Sequence, residues 1–552
     1  MHRPRHPRGR DPRRDPAGGG LARDGGRVPA GVLLDVPLLP ADHPVPVDQL
    51  AVLRPPALPG RHARRDRRQG GPGMLILIVA VVMGLSILLA LWAGRSSRGG
   101  GISEFLVGGR SFPPWLLYFL AVGEVYSIGT MIGFPSGIYA HGASYGIWFL
   151  GYILLAYSLG YFLAPLVWRA ARKHDAMTVP DVFGRHYGSR TLELITCVTM
   201  LIALVPWGQY QFIGLQVVLS NLGLKLTPVQ CVLLAGVIAF AYIAVSGIRS
   251  PAFVSILKDA FMLLGVVLVG LAAVLVAGGT SGVTGPEALA RAQTTMGGQD
   301  LWFAMTTILF QSVVFYLGFG GAYVFPARSE RAVKSSTVWM PLYMLIYPFL
   351  VFAAYYGLKQ HPGLKNPNTV FMVTAKGLLP EPVLGLVAAG AALSGVLVLS
   401  ATALAIGGMV SRNLAPNVRP AAQRRWTVVA VAVFLVLAAV LTLTASTLML
   451  TVLNLTYNLL AQVVPGWLAI LFARRVRTAA IATGMVVGVV TAVVLYVTGV
   501  KLGGLNPGLV SMGVNLVIVF GWSLLAPGTK RSPIALERNE PAGAAPVAQP
   551  AG

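Results

Sequence analysis

The chain has 552 residues, of which 55% are hydrophobic and only 11% charged, with a mean hydropathy of +0.69. Soluble domains carry roughly 25% charged residues, so this composition excludes an ordinary soluble enzyme or binding domain and points to a polytopic membrane protein. The net charge of +24 does not signal a nucleic-acid partner. Beyond residue 73 the basic residues sit mainly in short loops between apolar stretches, where they encode membrane topology.

Residues 1–73 hold 14 Arg and 7 Asp and contain no long apolar run. Such a segment cannot bury a core and is expected to be disordered. Two readings stay open, a basic extension and a mis-assigned start with translation beginning at Met74. From there, apolar windows of helical length recur, and thirteen spans are expected: 74–94, 114–140, 144–168, 191–221, 228–246, 253–277, 302–326, 337–358, 381–410, 427–446, 449–472, 479–499 and 507–527. The segment 528–552 reads as a disordered cytoplasmic tail. Counted over alternate loops, Lys and Arg divide 23 to 6. The richer set belongs in the cytoplasm by the positive-inside rule, which puts the Met74 end outside a cell membrane and the C-terminus inside.

The second span holds Glu124 near its middle and a Gly/Pro/Ser-rich second half. A carboxylate costs a few kcal/mol or more at that depth, and irregular backbone persists there only where protein or a water-filled cavity satisfies it. The span is therefore expected to be a broken helix lining a transport site. Span 7 offers a counterpart, with Gly318, Gly320 and Gly321 followed by Pro326. The two interruptions are five spans apart, in helices of opposite direction, which is the sequence pointer to a binding site between inverted repeats. The repeats would cover about 114–277 and 302–472 of a transporter domain spanning 74–527. The fold class expected is all-α, with about thirteen transmembrane helices in a 5+5 inverted repeat plus flanking helices.

Glu124 is read as an ion- or proton-binding group. Asp259, beside Lys258, is read as half of an interfacial pair at the cytoplasmic start of span 6. Ser127, Trp207, Gln209, Tyr210, Gln211, Gly318, Gly320 and Tyr457 are candidate solute contacts, and Ser394 and Ser400 are polar candidates on span 9. Cys197 and Cys231 lie inside apolar spans and read as packing residues. No metal-ligand spacing, phosphate loop or nucleophile–base arrangement is found, so neither an enzymatic activity nor a cofactor other than a coupling ion is expected.

Several stretches resemble the sodium:solute symporter family. They are SEFLVGGRSFPPW at 103–115, TVPDVFGRHYGSR at 178–190, YIAVSGIRSPAFVSILKDAF at 242–261 and VVPGWLAILFARRVRTAAIATGMVVG at 463–488. The third carries Lys258–Asp259 where the family has Thr-Asp. The resemblance implies a LeuT-type fold and Na⁺-coupled import of a small organic solute by alternating access. It also implies a sodium site built from backbone carbonyls near Gly123 and Tyr126 and from a hydroxyl pair that falls at Leu397 and Val398. Because Leu and Val offer no side-chain oxygen, Ser394 and Ser400 are the substitute ligands to consider. Proton coupling through Glu124, uncoupled transport, and a membrane solute sensor without transport are the alternatives. Partners are the lipid bilayer and a small-molecule substrate; oligomeric state is left open.

Overall fold

The structure is a computed structural model that describes residues 72–95, 102–223, 226–286, 297–416, 420–444, 447–500 and 502–537. The expectations for residues 1–71, and for the tail beyond 537, lie outside the described residues.

The described residues form a helical bundle. In chain order it comprises α1 (Pro72–Arg95), α2 (Pro114–Val125), α3 (Gly129–His141), α4 (Ala143–Lys173), α5 (Val179–Tyr187), α6 (Arg190–Ser220), α7 (Pro228–Ser246) and α8 (Arg249–Val276). It continues with α9 (Gly298–Gly318), α10 (Gly321–Val324), α11 (Glu330–Gln360), α12 (Glu381–Leu414), α13 (Pro420–Thr444), α14 (Met449–Phe472), α15 (Thr478–Thr498) and α16 (Pro507–Leu525). Eleven helices among the described residues are long and apolar enough to cross a bilayer, and α2 with α3, bent by 44°, makes a twelfth. The fifth expected span is present as α7, a helix of 19 residues over Pro228–Ser246. Length and composition thus single out eleven to twelve crossings among the described residues, with α7 beside them.

Burial sorts these helices into layers. The apolar window of α12 is 89% buried and that of α14 83%, against 33% for α1, α15 and α16. α12 is therefore the central post, and the outer helices present Leu77, Leu88, Val237, Val497 and Leu524 outward. Exposed aliphatic side chains in such number suit lipid, which needs no polar cover.

The loop motif at 178–190 folds for a local reason. Thr178 and Asp181 form a capping box at the start of α5, and Gly188 ends it in the left-handed conformation at φ 61°. Asp181 then holds Arg412 at 3.2 Å and Asn413 at 2.7 Å, and Asn413 also donates to Glu193 at 2.7 Å. These contacts lock α5 to the end of α12. The segment after α16 departs from the expected disordered tail. Arg531 donates to the carbonyls of His186 (2.6 Å) and Tyr187 (2.8 Å), Lys173 pairs with Glu537, and Ile534 is buried. A guanidinium capping the carbonyls near the end of α5 fixes residues that composition alone read as a tail.

At the same end of the bundle, His174 Nε2 and His186 Nδ1 lie 3.2 Å apart. Burial, reinforced for His174 by Lys173 and for His186 by the other imidazole, pushes both rings down to about 4 from the ordinary value near 6.5. A chain that unfolds gains protons at these sites below pH 6.5, so stability is lost as pH falls from about 6.5 through 4. Thermal melting of the purified protein over that range should show the loss, and H174Q/H186Q should flatten it.

Candidate transport site

The expected interruption in the second span falls between α2 and α3. α2 stops at Val125, and Tyr126 leaves helical geometry at φ −92°, ψ 78°. Ser127 then restarts the chain. Its hydroxyl accepts from Gly129 N at 3.2 Å, and its carbonyl accepts from Thr130 N at 2.9 Å. A helix end leaves its last carbonyls without intrahelical partners, and here that end lies in the interior of the bundle. Two glycines allow the close approach this requires. A Cβ on Gly123 would sit 2.2 Å from Ser255 Oγ, and one on Gly129 would sit 1.8 Å from the Tyr210 hydroxyl.

The orphaned carbonyls are met by a lysine. Lys258 Nζ donates to Tyr126 O at 2.8 Å and lies 3.4 Å from Gly123 O, and it pairs with Asp259 Oδ1 at 2.5 Å. Both side chains are buried, at 0% and 2% exposure. This corrects the interfacial reading of the pair. α8 begins at Arg249, fixed there by an ion pair with Glu104 and by Ile248 N donating to Phe105 O at 3.0 Å. Lys258 is nine residues further on, about 14 Å along the helix axis, and belongs to the interior rather than to a loop. Asp259 also accepts from the Tyr343 hydroxyl at 3.1 Å, while its Oδ2 has no partner.

Around this knot stands a cluster of aromatic rings. Tyr126 stacks on Tyr343 at 4.2 Å and shares a 2.7 Å hydrogen bond with Tyr157. Tyr347 packs against Phe134 and Phe149, and Tyr152 meets Tyr457 edge-on. Below the cluster a pocket of about 910 Å³, counting the solvent at its mouth, runs from Glu124, Trp207 and Gly318 to Leu106, Thr178 and Met409. Its far end lies among the segments that carry the arginine-rich loops. Glu124 is half-buried in its wall, and no ion pair joins it to another of the described residues. Among the described residues no group of three or more His, Cys, Asp or Glu side chains could hold a metal ion.

The second interruption lies between α9 and α10, at Phe319 and Gly320. Beyond it, the segment after α10 is tied to the entry of α2, because Phe112 N donates to Pro326 O at 3.1 Å and Arg328 N to Phe112 O at 3.2 Å. The remaining expected contacts divide. Gly318 lines the pocket, Tyr210 stacks on Trp207, and Tyr457 packs at a tilt against Phe319, with ring centres 5.3 Å apart. Gly320 forms the break itself, and Ser127 spends its hydroxyl on the backbone. Gln209 donates to Leu441 O at 3.2 Å, toward α13 rather than the pocket. Gln211 is fully buried with both amide atoms unpartnered. Ser394 and Ser400 donate to Gly390 O (2.8 Å) and Val396 O (2.6 Å) of their own helix, so the structure does not bring them to the broken helix. Leu397 does reach it, 3.7 Å from the position of a Cβ on Gly123. What the sequence reading missed was Lys258–Asp259, whose signal was the replacement of Thr-Asp together with an earlier start to α8.

The sequence profile of the sodium:solute symporter family matches residues 105–488, well over half of the chain. The chain belongs to the sodium:solute symporter family. Relatives in this family include the uncharacterized symporter YhjB of Bacillus subtilis, 26% identical over 82% of this chain and 96% of that protein. A monocarboxylate transport permease protein of Rhizobium johnstonii is 26% identical over 56% of this chain and 64% of its own length. The sodium/pantothenate symporter of Escherichia coli is 27% identical over 38% and 42%. Among solved structures, a Na⁺-coupled sialic acid symporter superposes with a TM-score of 0.68 at 14% identity, covering 83% of this chain and 99% of that one. The likeness establishes the fold, which is of the LeuT type expected for this family.

Proposed function

We propose that this member of the sodium:solute symporter family imports a small organic solute across the cell membrane by alternating access. The observation that carries this reading is the pocket that starts beside the two helix interruptions, at Glu124, Gly318 and Phe319, and ends among the basic loops. Aromatic packing of Tyr126, Tyr343, Tyr347 and Phe134 closes the other side. An access path from one side with the opposite side sealed is the arrangement alternating access requires. The repeats 114–277 and 302–472 would be the parts that rock against each other, with the C-terminus on the cytoplasmic side.

The pocket wall is mostly apolar, with Trp207, Phe319, Met200 and Leu204 against Glu124 and Thr402. Such a wall suits a compact organic solute with one or two polar groups. The names of the relatives make monocarboxylates and pantothenate the first solutes to test. Family membership implies sodium as the coupling ion. A second reading, protonation of Glu124 during transport, is favoured by its placement in the pocket wall with no ion pair to another of the described residues.

Uptake of labelled monocarboxylates and pantothenate into proteoliposomes is the test, first under a sodium gradient and then under a pH gradient. Accumulation above equilibrium under either gradient supports the reading, while solute binding without accumulation would make the protein a sensor. Glu124→Gln is expected to cut pH-driven uptake at least about tenfold, the scale of losing a charged contact of 1.4 kcal/mol or more. Unchanged pH-driven uptake in that variant would remove Glu124 from the mechanism.

A further inference from the structure

A helix that stops inside the bundle places the negative end of its dipole, and carbonyls freed of helical bonds, where water is scarce. In broken-helix transporters such carbonyls coordinate the coupling cation. A bare alkali cation at this place would need several oxygen ligands. Tyr126 O and Gly123 O are present, but both face Lys258 Nζ, at 2.8 and 3.4 Å. Leu397, with no oxygen to give, stands beside Gly123, and its neighbour Val398 is buried in the same helix α12. The nearest hydroxyls of α12, Ser394 and Ser400, are spent on their own helix. The Asp259 carboxylate and the Ser255 hydroxyl are also near, but Ser255 is spent on Pro251 O and the ammonium already sits against Asp259 and both carbonyls, so the set does not fit a sodium ion as well.

It does fit an ammonium. A lysine head group has three N–H donors and no acceptor. Here it has three acceptors, the two carbonyls and Asp259 Oδ1 at 2.5 Å. The charge is balanced within one residue, and no exposed face of Nζ remains.

We propose that the ammonium of Lys258 is the resident cation of the broken helix, taking the place of a coupling sodium ion between α2, α8 and α12. The inference deepens the transporter reading at the same site and rests on it only for the meaning of the break. A tethered cation cannot leave with the solute. This position therefore contributes no sodium to transport, and the clamp of α8 on the break is permanent in composition. Any sodium dependence of uptake would have to arise elsewhere in the protein.

The test measures cation binding, not transport, so it stands whether or not a transported solute is found. The full-length protein, purified in detergent, is melted in sodium chloride and in choline chloride of equal ionic strength. The wild type is expected to show the same Tm in both. In K258T/L397S/V398S, which removes the ammonium and restores three hydroxyls around the carbonyls, sodium is expected to raise Tm over choline by roughly 2 °C or more. K258T alone keeps Asp259 and one new hydroxyl, and should be lower than wild type in choline and partly restored by sodium. A wild type stabilised by sodium to the same degree as the triple variant overturns the proposal, and so does a folded triple variant indifferent to sodium. If neither variant is recovered folded, the wild-type comparison decides alone. Failure to find uptake of any solute would instead count against the transporter reading.

Discussion

Lys258→Met is expected to destabilise the protein by about 3–5 kcal/mol, because it leaves the Asp259 carboxylate buried without its counter-charge. The carboxylate is 2% exposed, and its remaining hydrogen bond comes from the Tyr343 hydroxyl. The same change frees Tyr126 O and Gly123 O, which have lost their helical partners at the break. Replacing the whole pair by apolar residues removes the uncompensated charge, so K258M/D259L should recover about half of the lost stability. It should fall short of wild type by roughly 1–3 kcal/mol, the cost of leaving the Tyr343 hydroxyl and the two carbonyls short of partners. Thermal or denaturant unfolding of both variants in detergent measures the difference. A K258M protein as stable as K258M/D259L would show that Asp259 does not rely on Lys258 for its charge balance.

Gly129→Val should be the most damaging single change near the pocket. A Cβ there would lie 1.8 Å from the Tyr210 hydroxyl and 2.2 Å from its Cζ. The ring has no easy retreat, because it is buried and stacked on Trp207 at 5.3 Å. Overpacking of this kind costs about 1–3 kcal/mol, and the displaced Trp207 would narrow the pocket it lines. Uptake is expected to fall below detection, with a loss of Tm that Y210A in the same chain partly restores. A G129V protein with wild-type melting and uptake would mean that the break does not press on α6.

The broken helix was legible at Pro114–Gly142 because two independent signals coincide there. A mid-span carboxylate and a Gly/Pro/Ser-rich half are both costly in hydrocarbon, and each calls for a cavity. The counterpart at Gly318–Pro326 was legible from its clustered glycines and its place five spans later, and the family motifs at 178–190 and 463–488 fell in regions that the family profile also matches. Less legible was the span count. Two of the expected spans depart from an uninterrupted long crossing, since α2 and α3 are bent by 44° and α7 is only 19 residues long, over Pro228–Ser246. The region after Pro527 was misread because its anchor, Arg531 on the carbonyls of His186 and Tyr187, joins residues about 345 positions apart. No composition window contains such a pair.

By itself, the sequence determined the class of this protein, its helical build, its two interruptions and its family. These follow from local properties: apolar runs, backbone-breaking residues, and motifs read in order. The tertiary structure decided what the first interruption holds. Lys258 lies 135 residues from Gly123, and in sequence it counts as one more basic residue near the start of a span. Only the packing of α8 against α2 sets its ammonium on the two freed carbonyls. The reason is physical. A buried charge is tolerated only where geometry supplies every partner at once, and such partners come from separate helices that meet when the bundle is formed.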